Sequence, residues 1–154
     1  MEHPNVALLT RFYAALAAGD GATMGASYSD RARFSDPLFP DLDAREVRGM
    51  WLMLTARARA GVEVSEIVAD DSGGSAHWIA TYPFGGRTVR NDVRARFTFA
   101  DGLILTHRDE FDVRRWAAQA LGLKGRLLAL TPAGRRVLRQ TGRQRLDGFL
   151  AARD

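Results

Sequence analysis

The sequence contains no cysteine among its 154 residues, and this absence removes several classes of site. Disulfides, thiolate metal sites and cysteine nucleophiles are all excluded. The three histidines, His3, His77 and His107, are too scattered along the chain to predict a three-histidine metal site. The sequence therefore predicts no metal and no cysteine chemistry.

Long hydrophobic runs are also missing. No stretch approaches the roughly 18 apolar residues that a membrane-spanning helix needs. The N-terminus lacks a basic region followed by an apolar stretch and a small-residue cleavage site, so we expect no signal peptide. Together with the absence of cysteine, this leads us to expect a cytoplasmic protein.

The composition is that of an ordinary soluble domain, with 46% hydrophobic and 26% charged residues. A chain of this length buries about two-thirds of its unfolded surface in one core. We expect one domain over residues 1–123, followed by a basic helical extension of the same domain over residues 124–154.

The net charge of +4 is spread unevenly. Residues 113–154 hold ten Lys/Arg against two Asp, which leaves 12 basic and 16 acidic residues on residues 1–112. We interpret the basic tail as a solvated helix face and expect neither a nucleic acid nor a membrane as partner. The alternative is an adaptor for one of these, whose salt-sensitive binding disappears on truncation after Leu123.

Three helices are predicted in the first 61 residues. The first begins near Pro4 and Asn5 and ends at Gly19, and Asp20 caps a short second helix that runs to Tyr28. Asp43 caps a third helix that Gly61 ends. The apolar stripes that define the first and third helices are Leu8, Leu9, Phe12, Tyr13 and Leu16, then Val47, Met50, Trp51, Leu54 and Ala58.

Strands dominate the next part of the chain. The stretch ARFSDP predicts a brief strand that ends at Pro37, and four longer strands follow between Val62 and Phe111. The turns DDSGG, FGG and ADG join these four into an antiparallel meander. A helix from Val113 to Leu121 ends at Gly122, and Thr131 with Pro132 begins a last helix towards Ala151. This order is typical of an α+β fold.

Five motifs in this order resemble the nuclear-transport-factor-two-like superfamily, and most closely its SnoaL-like branch. They are LTRFYAALAAGD, FSDP, GGR, ARFTFADGLI and HRDEFD running into RRWAAQALG. The resemblance covers residues 5 to about 122. It implies a cone-shaped curved antiparallel sheet with N-terminal helices packed over its concave face, followed here by the C-terminal helical extension. It also implies a deep apolar pocket, acid/base chemistry without a metal or cofactor, and a homodimer.

A comparison with ketosteroid isomerase, another member of the superfamily, finds a counterpart here for only one of its catalytic residues. Asp36 falls on its general-base aspartate. The positions of its two oxyanion-hole donors are Phe12 and Ala95, neither of which can donate a hydrogen bond from its side chain. Ketosteroid isomerase activity is therefore not expected.

Strand alternation and the resemblance agree on the face of the last strand that points inward. His107, Asp109 and Phe111 share one face, whereas Arg108 and Glu110 share the other and belong in water. His107 and Asp109 then lie about 7 Å apart along the strand. Desolvation in an apolar pocket disfavours the charged form of carboxylates in general, and this suits a pocket carboxylate for acid/base work.

The candidate catalytic residues are thus Asp109 as acid/base, His107 as its orienting partner and Asp36 as a second carboxylate. Each also has a structural interpretation: a hydrogen-bonded pair for the first two, and a turn cap for the Asp before Pro37. Asn91 must find either a ligand or His107 as partner. The candidate substrate-binding residues, of which the aromatic ones also suit an ordinary core, are Asn91, Tyr82, Trp78, Trp51, Tyr13, Phe34 and Phe111.

We therefore predict a cofactor-free isomerase, cyclase, dehydratase or hydrolase that acts on a small apolar or polyketide-like ligand. The alternative is a ligand-binding or dimerisation module of the same fold without catalysis. An enzyme requires Asp109 or Asp36 to be reachable inside a cavity, whereas a bare module would show both carboxylates occluded.

Overall fold

The computed structural model describes residues 1–57 and 60–154. Ala58, the last residue of the predicted stripe on the third helix, lies outside this part. The order of elements confirms the predicted α+β arrangement. The helices and strands are α1 Pro4–Ala18, α2 Gly21–Ala26, β1 Tyr28–Ser35, α3 Ala44–Arg57, β2 Gly61–Ala69, β3 Gly74–Phe84, β4 Arg87–Ala100, β5 Leu103–Glu110, α4 Val113–Leu128 and α5 Pro132–Arg153.

Short polar side chains begin the helices, as the sequence predicts. Asp20 accepts a hydrogen bond from the backbone N–H of Thr23 and so caps α2. At α3, the Asp43 carboxylate accepts from the N–H of Glu46, and the Glu46 carboxylate accepts from the N–H of Asp43. This reciprocal pair satisfies two N–H groups that have no partner inside the helix.

The five strands form one sheet in the order β1-β5-β4-β3-β2. Strands β2 to β5 are antiparallel neighbours, which confirms the predicted meander. Gly85 and Gly86 join β3 to β4, and both have the positive φ that a tight hairpin turn requires. The first strand, β1, pairs in parallel with β5 and so forms one edge of the sheet.

One face of the sheet is buried and the other faces water. Alternate residues of the long strands point to the buried face, and the residues between them are exposed, among them Arg90, Arg94 and Arg96. The buried residues of β3 to β5 are Ala76, Trp78, Ala80, Val89, Val93, Ala95, Phe97, Ile104, His107 and Asp109.

Helices α1 and α3 supply the other wall of the core. All five residues of the predicted α1 stripe are buried, as are Val47, Met50 and Trp51 of α3. The prediction for Leu54 is wrong, because its side chain is 41% exposed. It lies near the C-terminal end of α3, beyond the part of the helix that packs against the core.

The C-terminal extension packs back onto the domain. Helix α4 breaks at Gly122, whose φ of 66° and ψ of −144° are not helical, although hydrogen bonding resumes to Leu128. Helix α5 then lies along α3, and a Cβ at Gly49 would stand 2.4 Å from a methyl carbon of Leu150. An ion pair between Arg143 and Glu46 adds to this contact.

Candidate functional site

His107 and Asp109 of β5 lie inside the core. Their exposed fractions are 2% and 3%, and the His107 Nε2 atom is 2.8 Å from the Asp109 Oδ1 atom. The side chain of His107 therefore reaches along the strand to the residue two places on. The predicted inward face of β5 is the face that the structure buries.

The pair ends a chain of three buried hydrogen bonds. The Trp51 Nε1 atom lies 2.9 Å from the Tyr28 hydroxyl oxygen, and that oxygen lies 2.8 Å from the His107 Nδ1 atom. Indole nitrogen can only donate, so the Tyr28 oxygen accepts from Trp51 and its own hydrogen is free to donate to His107 Nδ1. The Asp109 carboxylate can only accept, so the His107 Nε2 atom carries the hydrogen of that bond. The neutral tautomer of His107 with its proton on Nε2 satisfies all three bonds at once.

Aromatic rings hold the imidazole of His107 in place. The ring centroid of Phe97 is 4.3 Å from that of His107, and Phe34 meets it edge-on at 4.9 Å. Phe12 approaches edge-on at 5.8 Å, and Tyr28 stacks at 6.0 Å. Because these rings are themselves buried, the imidazole has little freedom to rotate away from Asp109.

Two buried donors beside this chain have no hydrogen-bond partner among the residues that the structure describes. The Tyr13 hydroxyl and the Trp78 Nε1–H are both enclosed, and their ring centroids are 5.8 Å apart. Burial raises the pKa of Tyr13 well above its ordinary value, and the charge of Asp109 raises it further. Tyr13 is therefore protonated at neutral pH and lies within electrostatic reach of Asp109. Buried donors without partners are rare in folded proteins.

Asp36 follows the end of β1 and caps the turn there. Its Oδ1 atom accepts from the backbone N–H groups of Leu38 and Phe39, both at 2.7 Å, which is the structural role that the sequence allowed. Burial nevertheless raises the pKa of Asp36 from 3.8 to about 7, and the charge of Asp109 adds to this rise. The residue as a whole is partly exposed.

Tyr82 lies on the same side of the site as Asp36. Its hydroxyl oxygen accepts from the Trp116 Nε1–H at 2.8 Å, so its own hydrogen is left to donate. Burial raises the pKa of Tyr82, and the charge of Asp36 contributes to the rise. Trp116 belongs to α4, which thereby extends the site beyond the sheet.

The other predicted residues take more varied positions. Asn91 is partly buried, but both nitrogens of His107 already have partners, so His107 is not the partner of Asn91. Phe34 is fully buried behind His107 and against Trp51, and Phe111 is partly buried at the end of β5. The site therefore centres on Asp109, which is occluded, so of the two candidate carboxylate residues only Asp36 is partly exposed.

Sequence reasoning missed Tyr28 and Trp116. The prediction that the second helix runs to Tyr28 is wrong, because α2 ends at Ala26 and Tyr28 begins β1. A register shift between Tyr28 and Arg33 also breaks the alternation that would assign its face. Trp116 sits on a helix whose orientation against β3 is set only by packing. The available signal was chemical, since a buried tyrosine or tryptophan requires a polar partner.

The pH dependence of stability tests the environment of Asp36. A folded-state pKa of about 7 means that the folded protein holds this proton between about pH 4 and 7, whereas the unfolded chain has lost it. Stability therefore falls as pH rises through this window, by up to about 1.4 kcal/mol per pH unit. In Asp36→Asn this contribution is absent, while the amide oxygen still accepts from the turn.

Urea unfolding of both proteins at pH 5, 6, 7 and 8 measures the effect. The free energy of unfolding of the variant is expected to rise relative to that of the wild type as pH rises. The difference should stop growing above about pH 7. Asp101→Asn, at an exposed turn position, is the matched control and should track the wild type. Parallel curves for wild type and Asp36→Asn would contradict the raised pKa.

The fold and the buried chain of hydrogen bonds define a class of protein. A curved five-stranded sheet, open rather than closed into a barrel and flanked by helices, is the cone fold of the nuclear-transport-factor-two-like superfamily. The profile of the SnoaL-like domain matches residues 9–107, and the chain belongs to this family. Helices α4 and α5 lie outside the matched range. No helix in the described residues is both long and apolar enough to cross a bilayer.

Solved structures with this fold include several relatives of low identity. An LEH-like epoxide hydrolase from M. tuberculosis is 24% identical with a TM-score of 0.66, over 82% of this chain and 94% of its own. Bal32a from a soil-derived mobile gene cassette is 20% identical with a TM-score of 0.65, over 76% and 96%. A putative polyketide cyclase from Xanthomonas campestris is 20% identical with a TM-score of 0.62, over 76% and 96%. No curated protein matches the chain.

Proposed function

We propose that this protein is a cofactor-free acid/base enzyme that acts on a small, largely apolar molecule bearing an acceptor oxygen. Asp109 takes a proton from the substrate or from a water molecule, and Asp36 returns one. The observation that carries this proposal is the buried chain of hydrogen bonds from Trp51 through Tyr28 and His107 to Asp109.

The chain orients Asp109. Its Oδ1 atom is held by the N–H of His107, so the carboxylate cannot rotate freely, and its second oxygen is the one available for proton transfer. A base whose position is set in advance needs no rearrangement when the substrate arrives. His107 is a positioning residue in this scheme, because its own nitrogens are both engaged.

Asp36 complements Asp109 because of its different surroundings. With a pKa of about 7, it is near half-protonated at neutral pH, which suits a group that gives and regains a proton in each cycle. Its partial exposure provides the exchange with solvent that resets the site. We propose that the ligand enters on this side, past Tyr82.

Tyr13 and Trp78 supply the donors for the substrate oxygen. Both are buried and unpartnered, and Tyr13 remains protonated because burial and Asp109 raise its pKa. Donors that already point at the position of a developing negative charge stabilise a transition state strongly. They replace, with different residues, the pair of donors that Phe12 and Ala95 cannot provide.

The fold relatives suggest two reaction types to examine. One is opening of an epoxide by water, and the other is isomerisation or ring closure of an enolisable ketone. Both need a base, an acid and a donor to one oxygen, which is the set that Asp109, Asp36 and Tyr13 provide.

A substrate panel tests the proposal. The purified protein is incubated with apolar epoxides and with enolisable ketones, and product formation is compared with the uncatalysed rate. Binding of each compound and of its oxygen-free hydrocarbon analogue is followed by tryptophan fluorescence. We expect turnover of at least one class and weaker binding of the hydrocarbon analogues. Binding without turnover across the panel would instead indicate a ligand-binding module.

The expected homodimer and cytoplasmic location remain predictions. The outer face of the sheet is the surface proposed for dimer contact. It carries Arg94 paired with Glu66 at 3.4 Å and His77 bonded to Asp92 at 2.6 Å, so its charges are largely balanced. A balanced polar face can approach a second copy without net repulsion.

A further inference from the structure

The C-terminal extension exposes an apolar surface where α4 meets α5. We call residues 121–137 the elbow. Five large apolar side chains of the elbow are exposed, out of eight such side chains in the described residues. Their exposed fractions are 37% for Leu121, 71% for Leu123, 58% for Leu127, 51% for Leu130 and 46% for Val137. Clusters of this kind usually mark an interaction surface.

The spacing of these leucines shows that they form one face. Leu123 and Leu127 are four residues apart in the last part of α4, which places them on the same side of that helix, and Leu130 follows in the turn just after it. The opposite side, with Gly125 and Ala129, is buried against the rest of the extension. The elbow is therefore apolar on both sides, and only one of them is covered. An open groove of about 630 Å³ lies along the uncovered side.

The charge around the elbow has one sign. No acidic residue occurs between Asp112 and Asp147, and nine Lys/Arg lie in that interval. Lys124, Arg126 and Arg136 are exposed within the elbow itself. A solvated helix face accounts for these cations, but it does not account for three leucines in water among them.

We propose that the elbow docks this protein onto the surface of an anionic phospholipid bilayer. The leucines enter the boundary between headgroups and acyl chains, and the surrounding cations contact the lipid phosphates. Exposed leucines interspersed with Lys/Arg on one helical face are the pattern of segments that lie in a membrane interface. The anionic surface also attracts a basic segment from solution.

Neither a second copy of the chain nor a nucleic acid matches both the leucines and the cations of the elbow. A second copy joined about a two-fold axis would bring two copies of the same basic patch together, with no acidic residue in the elbow to offset Lys124, Arg126 and Arg136. A nucleic acid would neutralise the cations through its phosphates but leave the leucines in water. An anionic bilayer is the surface that provides both the hydrocarbon and the negative charge.

Vesicle sedimentation tests the proposal. The full-length protein is mixed with extruded vesicles of phosphatidylcholine alone or with 30% phosphatidylglycerol, at about 50 and 300 mM salt. We expect binding to the phosphatidylglycerol vesicles that weakens at least tenfold at high salt, and little binding to phosphatidylcholine. No binding to the anionic vesicles would overturn the proposal.

Two pairs of variants separate the contribution of the leucines to vesicle binding from that of the cations. Leu127→Ser is expected to weaken binding at least tenfold, whereas Val68→Ser, at a residue 64% exposed on β2, should leave it unchanged. Lys124→Glu combined with Arg126→Glu should abolish binding, whereas Arg31→Glu, at an exposed position on β1, should have little effect. Equal losses in the elbow and control variants would contradict docking through this surface.

The absence of cysteine permits a direct probe of depth. Leu127→Cys and Val68→Cys each carry a single thiol for a polarity-sensitive fluorophore. Only the label at residue 127 should shift to the blue on anionic vesicles. A DNA duplex that binds as tightly as the vesicles and is indifferent to Leu127→Ser would show a phosphate-binding surface instead. A dimer that Leu127→Ser dissociates would show a second copy as the occupant. Either result would refute the membrane assignment.

Discussion

Replacing Asp109 by Asn is expected to reduce turnover of any substrate of this protein by about 100-fold to 10,000-fold, the range contributed by a positioned proton-transfer group. The amide oxygen of Asn can still accept from the His107 Nε2–H, so the buried chain of hydrogen bonds is retained. An amide cannot take up a proton at neutral pH. The loss should therefore fall on the catalytic step, with substrate binding nearly unchanged.

Steady-state kinetics on the best substrate of the panel measure this effect. Glu110→Gln is the matched control, because the next residue of β5 is exposed on the opposite face of the sheet, where it pairs with Arg108 at 3.4 Å. Its kcat should match that of the wild type. Unchanged kcat in Asp109→Asn would remove Asp109 from the catalytic role and leave its pair with His107 a structural one.

Replacing Tyr28 by Phe is expected to lower the free energy of unfolding by about 2–5 kcal/mol. The Tyr28 hydroxyl satisfies two buried groups at once, the Trp51 Nε1–H and the His107 Nδ1 atom. Without it, both are left without a partner in the core, and each unsatisfied group costs about 1–3 kcal/mol. Removal of one hydroxyl oxygen leaves no large cavity, so the loss of free energy of unfolding measures the hydrogen bonds.

Tyr13→Phe provides the matched control for this loss. Tyr13 is buried about as deeply as Tyr28, but its hydroxyl has no partner within residues 1–57 and 60–154. Its removal should leave stability unchanged or raise it slightly, while it weakens binding of an oxygen-bearing ligand. Chemical unfolding of both variants at pH 7 gives the comparison. Similar stability losses in the two variants would contradict the hydrogen-bonded chain.

Much of the fold follows from local patterns. The alternation in β4 and β5 assigns each residue to a face, because side chains in a strand point to opposite sides in turn. It places Arg94 and Arg96 outside and Asp109 inside, as the structure does. The hairpin at Gly85 and the cap at Asp43 follow equally from residues next to each other in the chain.

The environment of the site could not be obtained in this way. Tyr28 and His107 are 79 residues apart, and their contact exists because β1 pairs with β5 in parallel. The pKa of Asp36 depends on how deeply the end of β1 is buried and on the charge of Asp109. Neither quantity has a local signature, because both are set by elements that are distant along the sequence.

The sequence alone thus determined the order of elements, the face that each strand presents and the candidate pair of His107 and Asp109. It did so because periodicity and turn chemistry act over a few neighbouring residues. Only the tertiary structure decided which residues form the buried chain of hydrogen bonds and the exposure of Leu123 and Leu127. Those features depend on which distant surfaces meet, and hydrophobic periodicity predicts that a face is apolar without specifying what covers it.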